Sequence, residues 1–449
     1  MMARGLIIAA PASGSGKTVL TLALLRHFRN AGVAVASVKV GPDYIDPAFH
    51  AAASGAPCLN IDAWAMRAET LGAVAAHAGD GVELIIGEGV MGLFDGASGG
   101  GGSTADVAEL TGWPVVLVID AKGLGASAAA LVRGFRDHRP ETPLGGIVFN
   151  RVGSARHANL LTDACAPLGV PVLGALPRDA GLALPDRHLG LVQAGEHTDL
   201  EAVLEHAADL VARHVDTARL SALARPCRLG AHTLTPALPP LGQRIAVARD
   251  LAFAFAYPFV LDGWRAAGAD VVPFSPLADA APDPAADAIY LPGGYPELHA
   301  GRLSGNARFL DGVRGAGERG AVIYGECGGY MVLGRGLIDA HGARHAMAGL
   351  LPVETSFAAP KMTLGYREAA LTGDGPLGAA GTRYRGHEFH FARVSGGEGD
   401  APLFACRDAG GGPAGHAGAR VGHVMGSFVH LIDTMAEAAP ARLMAGASA

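Results

Sequence analysis

Cysteine is scarce in this sequence and is never closely paired. Five cysteines are scattered through 449 residues, and no two of them form a C-x-x-C pair. Disulfide scaffolds and structural zinc sites both need cysteines at close, regular spacings. The sequence therefore excludes both classes and predicts a protein that works in the reduced cytoplasm. The five residues are Cys58, Cys165, Cys227, Cys327 and Cys406.

Long apolar runs and an excess of basic residues are missing as well. Half of the residues are hydrophobic, yet no uninterrupted apolar stretch reaches the ~18 residues of a membrane helix. The apolar start of the chain is short and runs into a glycine-rich loop, which does not match a signal peptide. The net charge of −7, with no basic stripe, argues against nucleic acid as a partner. We therefore expect a cytoplasmic protein that binds neither membranes nor nucleic acid.

Glycine and proline, by contrast, are abundant, with 65 and 28 residues, but neither follows a short period. This composition excludes collagen-like repeats and is typical of turn-rich α/β domains. Short apolar runs alternate with helical patterns, which predicts an α/β fold with a mostly parallel sheet covered on both faces. The predicted strands are 5–10, 34–40, 83–88, 114–120, 145–150 and 171–175, and the predicted helices are 17–30, 66–78, 104–111, 126–136 and 155–168.

The length of the chain predicts more than one domain. A helix is expected at 198–225, followed by a Pro- and Ala-rich linker that ends at residue 243. The strand pattern then restarts, so we predict a first domain at 1–197, a helix and linker at 198–243, and a second α/β domain at 244–449. Its predicted strands are 244–248, 270–274, 288–291 and 321–324, and the segments 348–356, 362–371, 384–392 and 421–429 are expected to be antiparallel.

A phosphate-binding loop follows the first predicted strand. Residues 11–18 read PASGSGKT, which matches the G-x-x-x-x-G-K-[ST] pattern except at its first position, where Pro11 stands. Glycines let backbone N–H groups approach phosphate oxygens, and the start of the next helix favours negative charge. We expect Lys17 to reach the β- and γ-phosphates of ATP and the Thr18 hydroxyl to hold Mg²⁺. The predicted ATP-binding residues of the loop are Gly14, Ser15, Gly16, Lys17 and Thr18.

Polar side chains also stand at the ends of other predicted strands. Asp43 and Asp46 follow the second strand, Glu88 ends the third, and Asp95 lies in the loop after it. The carboxyl ends of parallel strands meet at one edge of the sheet, where such folds bind ligands. Glu88 and Asp46 are therefore predicted Mg²⁺ ligands, and Asp43 and Asp95 are predicted to orient an acceptor; the alternative is a role in turns and caps. Asn150 ends a later strand and is predicted either to read the nucleotide base or to form a turn.

A second chemical centre surrounds Cys327. An apolar strand pattern runs into the sequence GECGG, whose glycines allow a sharp strand-to-helix turn that presents the thiol. The start of that helix is expected to lower the pKa of the thiol. A thiolate nucleophile also needs an imidazole. His430, at the end of a later strand pattern, is the first candidate, and His387 and His390 are the alternatives.

Attack on an amide carbon also needs backbone donors for the oxyanion. Gly328, directly after the cysteine, is one predicted donor, and Gly294, in the turn after another predicted strand, is the second. Asp433 lies three residues after His430 and is predicted either to orient the imidazole or to face solvent. A centre for ATP and a centre for acyl transfer on one chain predict an enzyme that releases ammonia from glutamine and uses ATP to attach it to a carboxylate.

Taken together, these segments resemble the cobyrinic and hydrogenobyrinic acid a,c-diamide synthases of cobalamin biosynthesis. The resemblance implies an N-terminal P-loop domain like dethiobiotin synthetase and a C-terminal glutamine amidotransferase-like domain. It also implies amidation of the a and c acetate groups of a corrinoid, with glutamine and ATP consumed at each. The matching segments are 10–18 (APASGSGKT), 39–47 (KVGPDYIDP), 60–62 (NID), 88–96 (EGVMGLFDG), 187–191 (RHLGL), 291–297 (LPGGYPE), 326–329 (ECGG) and 385–390 (RGHEFH).

By this resemblance, Cys327 is the glutaminase nucleophile and His430 is its base. Ordinary glutaminases of this class have a Glu two residues after that His, where this chain has Ile432, so the third member of the triad is left open. The resemblance also implies that residues of the second and fourth matching segments shape the acceptor and ATP site. These residues are Asp43, Tyr44, Ile45, Glu88 and Asp95.

The predicted partners are small molecules, namely a corrinoid carboxylic acid, glutamine, ATP and Mg²⁺. The Ala-, Gly- and Arg-rich composition favours a metal-free ring over a cobalt-containing one, and a homodimer stays open. Nickel-sirohydrochlorin a,c-diamide synthases share this architecture and are an alternative. A nucleotide-driven switch with an inactive glutaminase domain is a third hypothesis, disfavoured by the intact Cys327 and by Ala12, where such switches carry a lysine.

Overall fold

The computed structural model describes residues 3–182, 186–187, 190–230, 232–397 and 401–435. Within them, an eight-stranded sheet forms the centre of the first half of the chain. Seven of its strands are parallel and mostly buried, which explains why the sequence shows them as short continuous apolar runs. In spatial order they are Cys58–Ile61, Val35–Val40, Leu84–Glu88, Arg4–Ala9, Val115–Asp120, Leu144–Val152 and Val172–Pro177, and Arg225–Pro226 pairs antiparallel with the start of Arg4–Ala9.

Helices cover both faces of this sheet. Leu6 and Ile8 belong to one apolar core, whereas Ile7 and Ala9 belong to the other, because successive side chains of a strand point to opposite faces. This arrangement confirms the predicted α/β class. The helices are Lys17–Asn30, Asp46–Ser54, Ala68–Ala78, Thr104–Thr111, Ala128–His138, Ala155–Cys165, Leu200–His214 and Thr217–Leu223, with 3₁₀ turns at Ala166–Leu168, Ala180–Leu182 and Ala194–Glu196.

The predicted strands and helices of the first half are all present, with ends that differ by a few residues. The helix Asp46–Ser54 and the strand Cys58–Ile61 are not predicted by the sequence analysis. The helix expected at 198–225 is interrupted, because the Asp216 side chain accepts a hydrogen bond from Arg219 N and caps a second helix. The matching segment 187–191 and the ends of the predicted domains lie partly outside the described residues.

The second half of the chain is built on a six-stranded sheet with two smaller sheets beside it. The six-stranded sheet has the order Asp270–Phe274, Arg244–Ala248, Ala288–Leu291, Val322–Glu326, Val424–Ser427 and Ala419–Val421. The five-stranded sheet has the order Pro413–Ala417, Phe404–Asp408, Thr363–Leu371, Arg383–His390 and His430–Thr434, and the four-stranded sheet Arg344–Ala346, Gly336–Ile338, Glu354–Ser356 and Arg393–Gly396. The helices of this half are Pro258–Ala266, Ala300–Gly305, Ala307–Glu318 and Gly328–Leu333, with 3₁₀ turns at Pro276–Ala278 and Pro296–His299. In the first half of the chain, Asp186–Arg187 also pairs with Gly190–Leu191.

The segment expected to be antiparallel at 421–429 is only partly so. Val424–Ser427 runs parallel to Val322–Glu326 and pairs antiparallel with the short strand before it. The chain therefore returns to the parallel sheet directly beside the strand that ends at Glu326. This register is what brings His430, three residues after Ser427, to the same sheet edge as the cysteine turn.

The two halves of the chain contact each other through polar and aromatic side chains. Arg67 binds Asp433 through its guanidinium and its backbone N–H, with distances of 2.8–3.2 Å. The Tyr366 hydroxyl donates to Asp62 at 2.8 Å, and its ring stacks on Trp64 with centroids 4.5 Å apart. These contacts hold the carboxyl edges of the two parallel sheets close together. No helix within the described ranges is long and apolar enough to cross a membrane.

Candidate active site

The phosphate loop closes around the amine of Lys17. Gly14 and Gly16 have φ angles of 77° and 99°, a left-handed conformation that favours glycine. Lys17 Nζ donates to Ala12 O of this loop at 3.4 Å and to Met91 O, in the loop after the strand Leu84–Glu88, at 2.6 Å. Burial lowers the pKa of this amine. The geometry of the loop is that of a phosphate cradle with its lysine folded inward.

Asn150 packs against this loop. Its Nδ2 donates to Ser15 O at 3.0 Å, and its Oδ1 accepts from Arg151 N at 2.9 Å. A Cβ atom at Gly16 would lie 2.1 Å from Asn150 Nδ2, so the close approach requires glycine. The amide group of Asn150 thus braces the loop, and its predicted role in reading the nucleotide base stays a prediction.

A network of buried charges surrounds Glu88 at the end of the strand Leu84–Glu88. Glu88 is 1% exposed. Its Oε1 accepts from the Thr18 hydroxyl at 2.6 Å and from Lys39 Nζ at 2.9 Å, and its Oε2 lies 2.6 Å from His50 Nε2. Lys39 also donates to Asp46 at 2.5 Å. The carboxylate therefore connects the phosphate loop to two cationic side chains.

The charges of this network stabilise one another. Burial opposes ionisation of Glu88, but Lys39 and His50 outweigh it and hold the pKa of this carboxyl below its ordinary value. Burial likewise opposes the charge of His50, yet Cys58 and Glu88 raise the pKa of this imidazole to about 10. Burial is outweighed again at Lys39, where Asp46 and Glu88 raise the pKa of the amine. At neutral pH the centre thus holds an anionic Glu88 between two cations.

The oxygen atoms at this centre fit Mg²⁺, which prefers oxygen ligands and keeps several waters. The Thr18 hydroxyl and the Glu88 carboxylate are adjacent and lie at the start of the helix that follows the phosphate loop. Asp46, the third predicted ligand, binds Lys39 instead, so its role as a ligand stays a prediction.

Sequence analysis missed Lys39 and His50. Lys39 stands inside a buried strand, VASVKV, where a charged side chain needs a partner, and this could have marked it. His50 lies in a helix that was not predicted, so no signal in the sequence pointed to it.

Cys327 occupies a strained turn between a strand and a helix. Its φ and ψ are 46° and −101°, and it is the N-cap of the helix Gly328–Leu333. Conformations of this kind cost about 1–3 kcal/mol and cluster at functional sites. The turn is held by Cys327 N, which donates to Ser427 O at 2.8 Å, and by Gly329, where a Cβ atom would lie 1.9 Å from Leu291 O.

The expected low pKa of the Cys327 thiol is wrong for this structure. The thiol belongs to a residue that is 2% exposed, and burial, reinforced by the charge of Glu297, raises its pKa above the ordinary value. The helix that starts at this cysteine has only six residues, and the net direction of the shift is upward. The thiol is therefore protonated at rest and needs a base.

His430 is placed to be that base. A Cβ atom at Gly293 would lie 2.8 Å from His430 Nε2 and 3.3 Å from Cys327 Cβ, so the imidazole and the cysteine meet over this glycine. Burial, with His387 and His390 nearby, lowers the pKa of His430 to about 3, which keeps the imidazole neutral. The two alternatives have other contacts. His390 stacks on Phe428 at 3.9 Å, and His387 Nδ1 lies 3.2 Å from the Tyr44 hydroxyl.

Glu326 lies behind His430 and was missed by sequence analysis. Its Oε2 is 3.6 Å from His430 Nδ1, and it accepts from the hydroxyls of Tyr290 at 2.6 Å and Tyr324 at 2.9 Å and from Leu431 N at 3.0 Å. Burial raises its pKa to about 7. Its position could have marked it, because Glu326 is a charged residue at the end of a buried apolar strand.

The other two residues considered for the third position have different roles. Ile432 is a buried apolar residue. Asp433 points to the other half of the chain and binds Arg67, so its predicted alternatives, orienting the imidazole and facing solvent, are both wrong.

The predicted oxyanion donors come together beside the cysteine. A Cβ atom at Gly328 would lie 3.0 Å from Gly294 N, so the two backbone segments are in close contact. At Gly294 a Cβ atom would lie 2.1 Å from Ala252 O, which excludes any larger residue. Two N–H groups next to a thiol are the arrangement that stabilises a tetrahedral oxyanion.

A cavity of about 430 Å³ is lined by residues of both halves of the chain, among them Met91, which binds Lys17, and Tyr44, which stacks on His430. The first half of the chain contributes Asp43, Tyr44 and Ile45 to its wall, and the second half contributes His387 and Phe389 among others. Three of the four residues predicted to contact the acceptor substrate thus line the same cavity.

Asp95 is not among the residues that line this cavity. Its Oδ2 accepts from Gly92 N at 2.8 Å and holds the loop whose later residue, Gly96, reaches the wall. Asp43 makes a similar turn, since its Oδ1 accepts from the backbone of Ile45 at 2.8 Å and of Asp46 at 3.0 Å. Asp43 and Asp95 therefore both make the turn-stabilising hydrogen bonds that were the alternative to a role in orienting the acceptor.

The two neutral imidazoles predict a loss of stability in acid. Burial holds the pKa of both His430 and His387 at about 3. Below pH ~6.5 the unfolded chain binds protons that the folded chain excludes, so the free energy of unfolding falls by about 1.4 kcal/mol per pH unit for each histidine. His387→Gln is expected to lower the slope of the free energy of unfolding against pH by about 1.4 kcal/mol per pH unit between about pH 6.5 and 5. Urea unfolding at several pH values measures this slope.

His423 provides the control for this experiment, because it is exposed on the same half of the chain. His423→Gln is expected to leave the slope as it is. An unchanged slope in His387→Gln would mean that its imidazole is not kept neutral by burial.

Similarity to known proteins extends over nearly the whole chain. Residues 6–192 match the CobQ/CobB/MinD/ParA nucleotide binding domain, and residues 244–437 match the CobB/CobQ-like glutamine amidotransferase domain. The chain is 55% identical to hydrogenobyrinate a,c-diamide synthase of Brucella anthropi, over 97% of this chain and 100% of the relative. The proteins of the same name from Rhizobium meliloti and Rhodobacter capsulatus are 54% and 53% identical, over 96% of this chain and 99% and 98% of theirs. With a nucleotide-binding half, a glutaminase half and this identity over nearly its full length, the chain belongs to the hydrogenobyrinate a,c-diamide synthase family of glutamine-dependent amidating ligases.

Proposed function

We propose that this protein converts the a and c acetate carboxylates of hydrogenobyrinic acid into amides, with glutamine as the nitrogen donor and ATP as the energy source. The observation that carries the proposal is a cavity whose wall contains both Met91, which accepts a hydrogen bond from Lys17 of the phosphate loop, and Tyr44, which stacks on His430. Its aromatic and apolar wall suits the face of a large macrocycle.

In the glutaminase half, Cys327 attacks the amide carbon of glutamine while His430 takes the thiol proton. The carbonyl oxygen becomes an oxyanion that the backbone N–H groups of Gly294 and Gly328 stabilise. His430 then gives its proton to the leaving nitrogen, so that ammonia departs and a thioester remains. Water hydrolyses the thioester to glutamate and restores the thiol. The carboxylate of Glu326, 3.6 Å from Nδ1, stabilises the imidazolium that forms on His430.

In the synthetase half, the phosphate loop binds ATP, with Gly14, Ser15 and Gly16 giving backbone N–H groups and Lys17 its ammonium. Thr18 and Glu88 would hold Mg²⁺, which supplies positive charge against the phosphate oxygens. An oxygen of the ring acetate attacks the γ-phosphorus, the bond to ADP breaks, and an acyl phosphate forms. Ammonia from the other half then attacks the acyl carbon and expels phosphate, which leaves the amide.

The proposal also covers the organisation of the chain. Residues 1–197 form the synthetase domain, residues 198–243 the helical connection and linker, and residues 244–449 the glutaminase domain. Substrate contacts are assigned to Asp43, Tyr44 and Ile45, with Asp95 supporting the loop beside them. The protein is expected in the cytoplasm, where both ATP and glutamine are available.

The test is mass spectrometry of the purified protein with ATP, Mg²⁺, glutamine and either hydrogenobyrinic or cobyrinic acid. Two successive mass decreases, each the size of replacing OH by NH₂, are expected, with hydrogenobyrinic acid as the better acceptor. A faster reaction with cobyrinic acid would assign the cobalt-containing ring instead. No mass change with either ring would contradict the proposal and turn attention to nickel-sirohydrochlorin.

Glu326→Gln tests the role given to that carboxylate. The variant keeps the size of the side chain but removes the charge that stabilises an imidazolium, so glutamine hydrolysis is expected to slow by about 10²-fold. Ammonium-dependent amidation should stay as it is. Tyr324→Phe, which removes only one of the hydrogen bonds to Glu326, should have a much smaller effect. Hydrolysis at the wild-type rate in Glu326→Gln would exclude it from the triad.

A further inference from the structure

Tyr44 belongs to the synthetase half by sequence but contacts the glutaminase base. It lies in the loop after the strand Val35–Val40. Its ring stacks on the imidazole of His430 with centroids 4.3 Å apart and planes at 30°. Its hydroxyl lies 3.2 Å from His387 Nδ1. A side chain of one half therefore covers one face of the base of the other half.

The loop that carries Tyr44 is also tied to the ATP centre. Asp46, two residues later, binds Lys39, and Lys39 binds Glu88 beside the phosphate loop. The Asp43 carboxylate fixes the turn that contains Tyr44, because it accepts hydrogen bonds from the backbone N–H groups of Ile45 and Asp46. A continuous series of hydrogen bonds therefore connects Glu88 with the backbone on the C-terminal side of Tyr44.

The same residue also faces the place where the acceptor would lie. Tyr44 lines the cavity between Asp43 and Ile45. Phe255 stacks against it from the glutaminase half, with centroids 5.4 Å apart and planes at 17°. Tyr44 thus forms part of the partition between the acceptor cavity and the Cys327–His430 pair.

The imidazole under this ring is not fully engaged. Within the part of the chain that the structure describes, neither ring nitrogen of His430 has a hydrogen-bond partner. Its Nδ1 is 3.6 Å from Glu326, beyond the range of a hydrogen bond. The ring of Tyr44 lies against one face of this imidazole, so the position of Tyr44 bears on the distance between Nδ1 and Glu326.

We propose that Tyr44 is a positioning residue through which the occupied ATP and acceptor centre sets the imidazole of His430, so that glutamine is hydrolysed faster when an acceptor is in place. This regulation rests on the proposed function. Its chemical benefit is that ammonia forms when an acyl phosphate is present to take it. Couplings between sites of one protein are typically about 5- to 150-fold, and we expect an acceleration of about 10-fold here.

The experiment measures glutamate and amide together in the full chain. Wild-type protein, Tyr44→Phe and Tyr44→Ala are given glutamine alone, and then glutamine with ATP, Mg²⁺ and hydrogenobyrinic acid. Wild type should release glutamate about 10-fold faster with the complete mixture and form close to one amide per glutamate. Tyr44→Phe keeps the ring and should retain most of the acceleration. Tyr44→Ala should lose it and release glutamate in excess of amide.

Ammonium in place of glutamine distinguishes coupling from acceptor binding. Because Tyr44 is also assigned to substrate contact, Tyr44→Ala is expected to need more acceptor with either nitrogen source, but to lose more of the glutamine-dependent rate than of the ammonium-dependent rate at saturating acceptor. A loss of equal size with both nitrogen sources would overturn the inference, since Tyr44 would then act through acceptor binding alone. It would also be overturned if Tyr44→Ala kept the acceleration or if wild type showed none while forming amide. If wild type formed no amide from either nitrogen source, the proposed function itself would fail.

Discussion

Cys327→Ala is expected to abolish glutamine-dependent amidation and to leave ammonium-dependent amidation intact. Without the thiol no thioester forms, and loss of a covalent nucleophile reduces turnover by at least about 10³-fold. The synthetase centre does not contain Cys327, so ammonia supplied from solution can still attack an acyl phosphate. The measurement compares amide formation by mass spectrometry with glutamine and with ammonium chloride at a mildly alkaline pH, where more of the ammonium is deprotonated.

Cys406 is a suitable control because it is also a buried cysteine of the glutaminase half, on the strand Phe404–Asp408. Cys406→Ala should amidate with both nitrogen sources. If folded Cys327→Ala still used glutamine, this thiol would not be the nucleophile. If it failed with ammonium as well, the division of the reaction between two centres would be wrong.

Glu88→Gln is expected to have the opposite pattern: amidation fails with both nitrogen sources while glutamine alone is still hydrolysed. Loss of the carboxylate removes the charged partner of Thr18 in the predicted Mg²⁺ site. An effect of several kcal/mol on phosphoryl transfer corresponds to about 10²- to 10³-fold in rate. The Mg²⁺ concentration for half-maximal activity should also rise, and amide formation across a Mg²⁺ titration measures both effects.

The same substitution is expected to destabilise the fold. Glu88 is 1% exposed and is the partner of Lys39 and His50. Removing one member of a buried ion pair costs about 3–5 kcal/mol, because a cation is left without compensation. Glu83 stands just before the other end of the same strand and is exposed, so Glu83→Gln should change neither activity nor stability by urea unfolding. A stable Glu88→Gln with normal amidation would contradict both assignments.

Local patterns identified most of the elements and both reactive loops. The phosphate loop and the cysteine turn each lie within one strand, one turn and one helix, so neighbouring residues specify their chemistry. Ile432 could be recognised as an unsuitable third triad member in the same way. The antiparallel pairing expected at 421–429 holds only toward the neighbouring strand Ala419–Val421, whereas Val424–Ser427 pairs in parallel with Val322–Glu326, which lies far away in the sequence. Strand direction depends on that partner and leaves no local mark.

The sequence by itself determined the two kinds of chemistry, the α/β class and the family, because glycine-rich turns, apolar strands and single reactive side chains are encoded within short segments. Only the tertiary structure decided which distant groups meet. It placed His50 on Glu88, Glu326 behind His430, and Tyr44 across the boundary between the halves. Their contacts come from packing between segments that can be more than three hundred residues apart, and such packing follows the shape and burial of the whole chain.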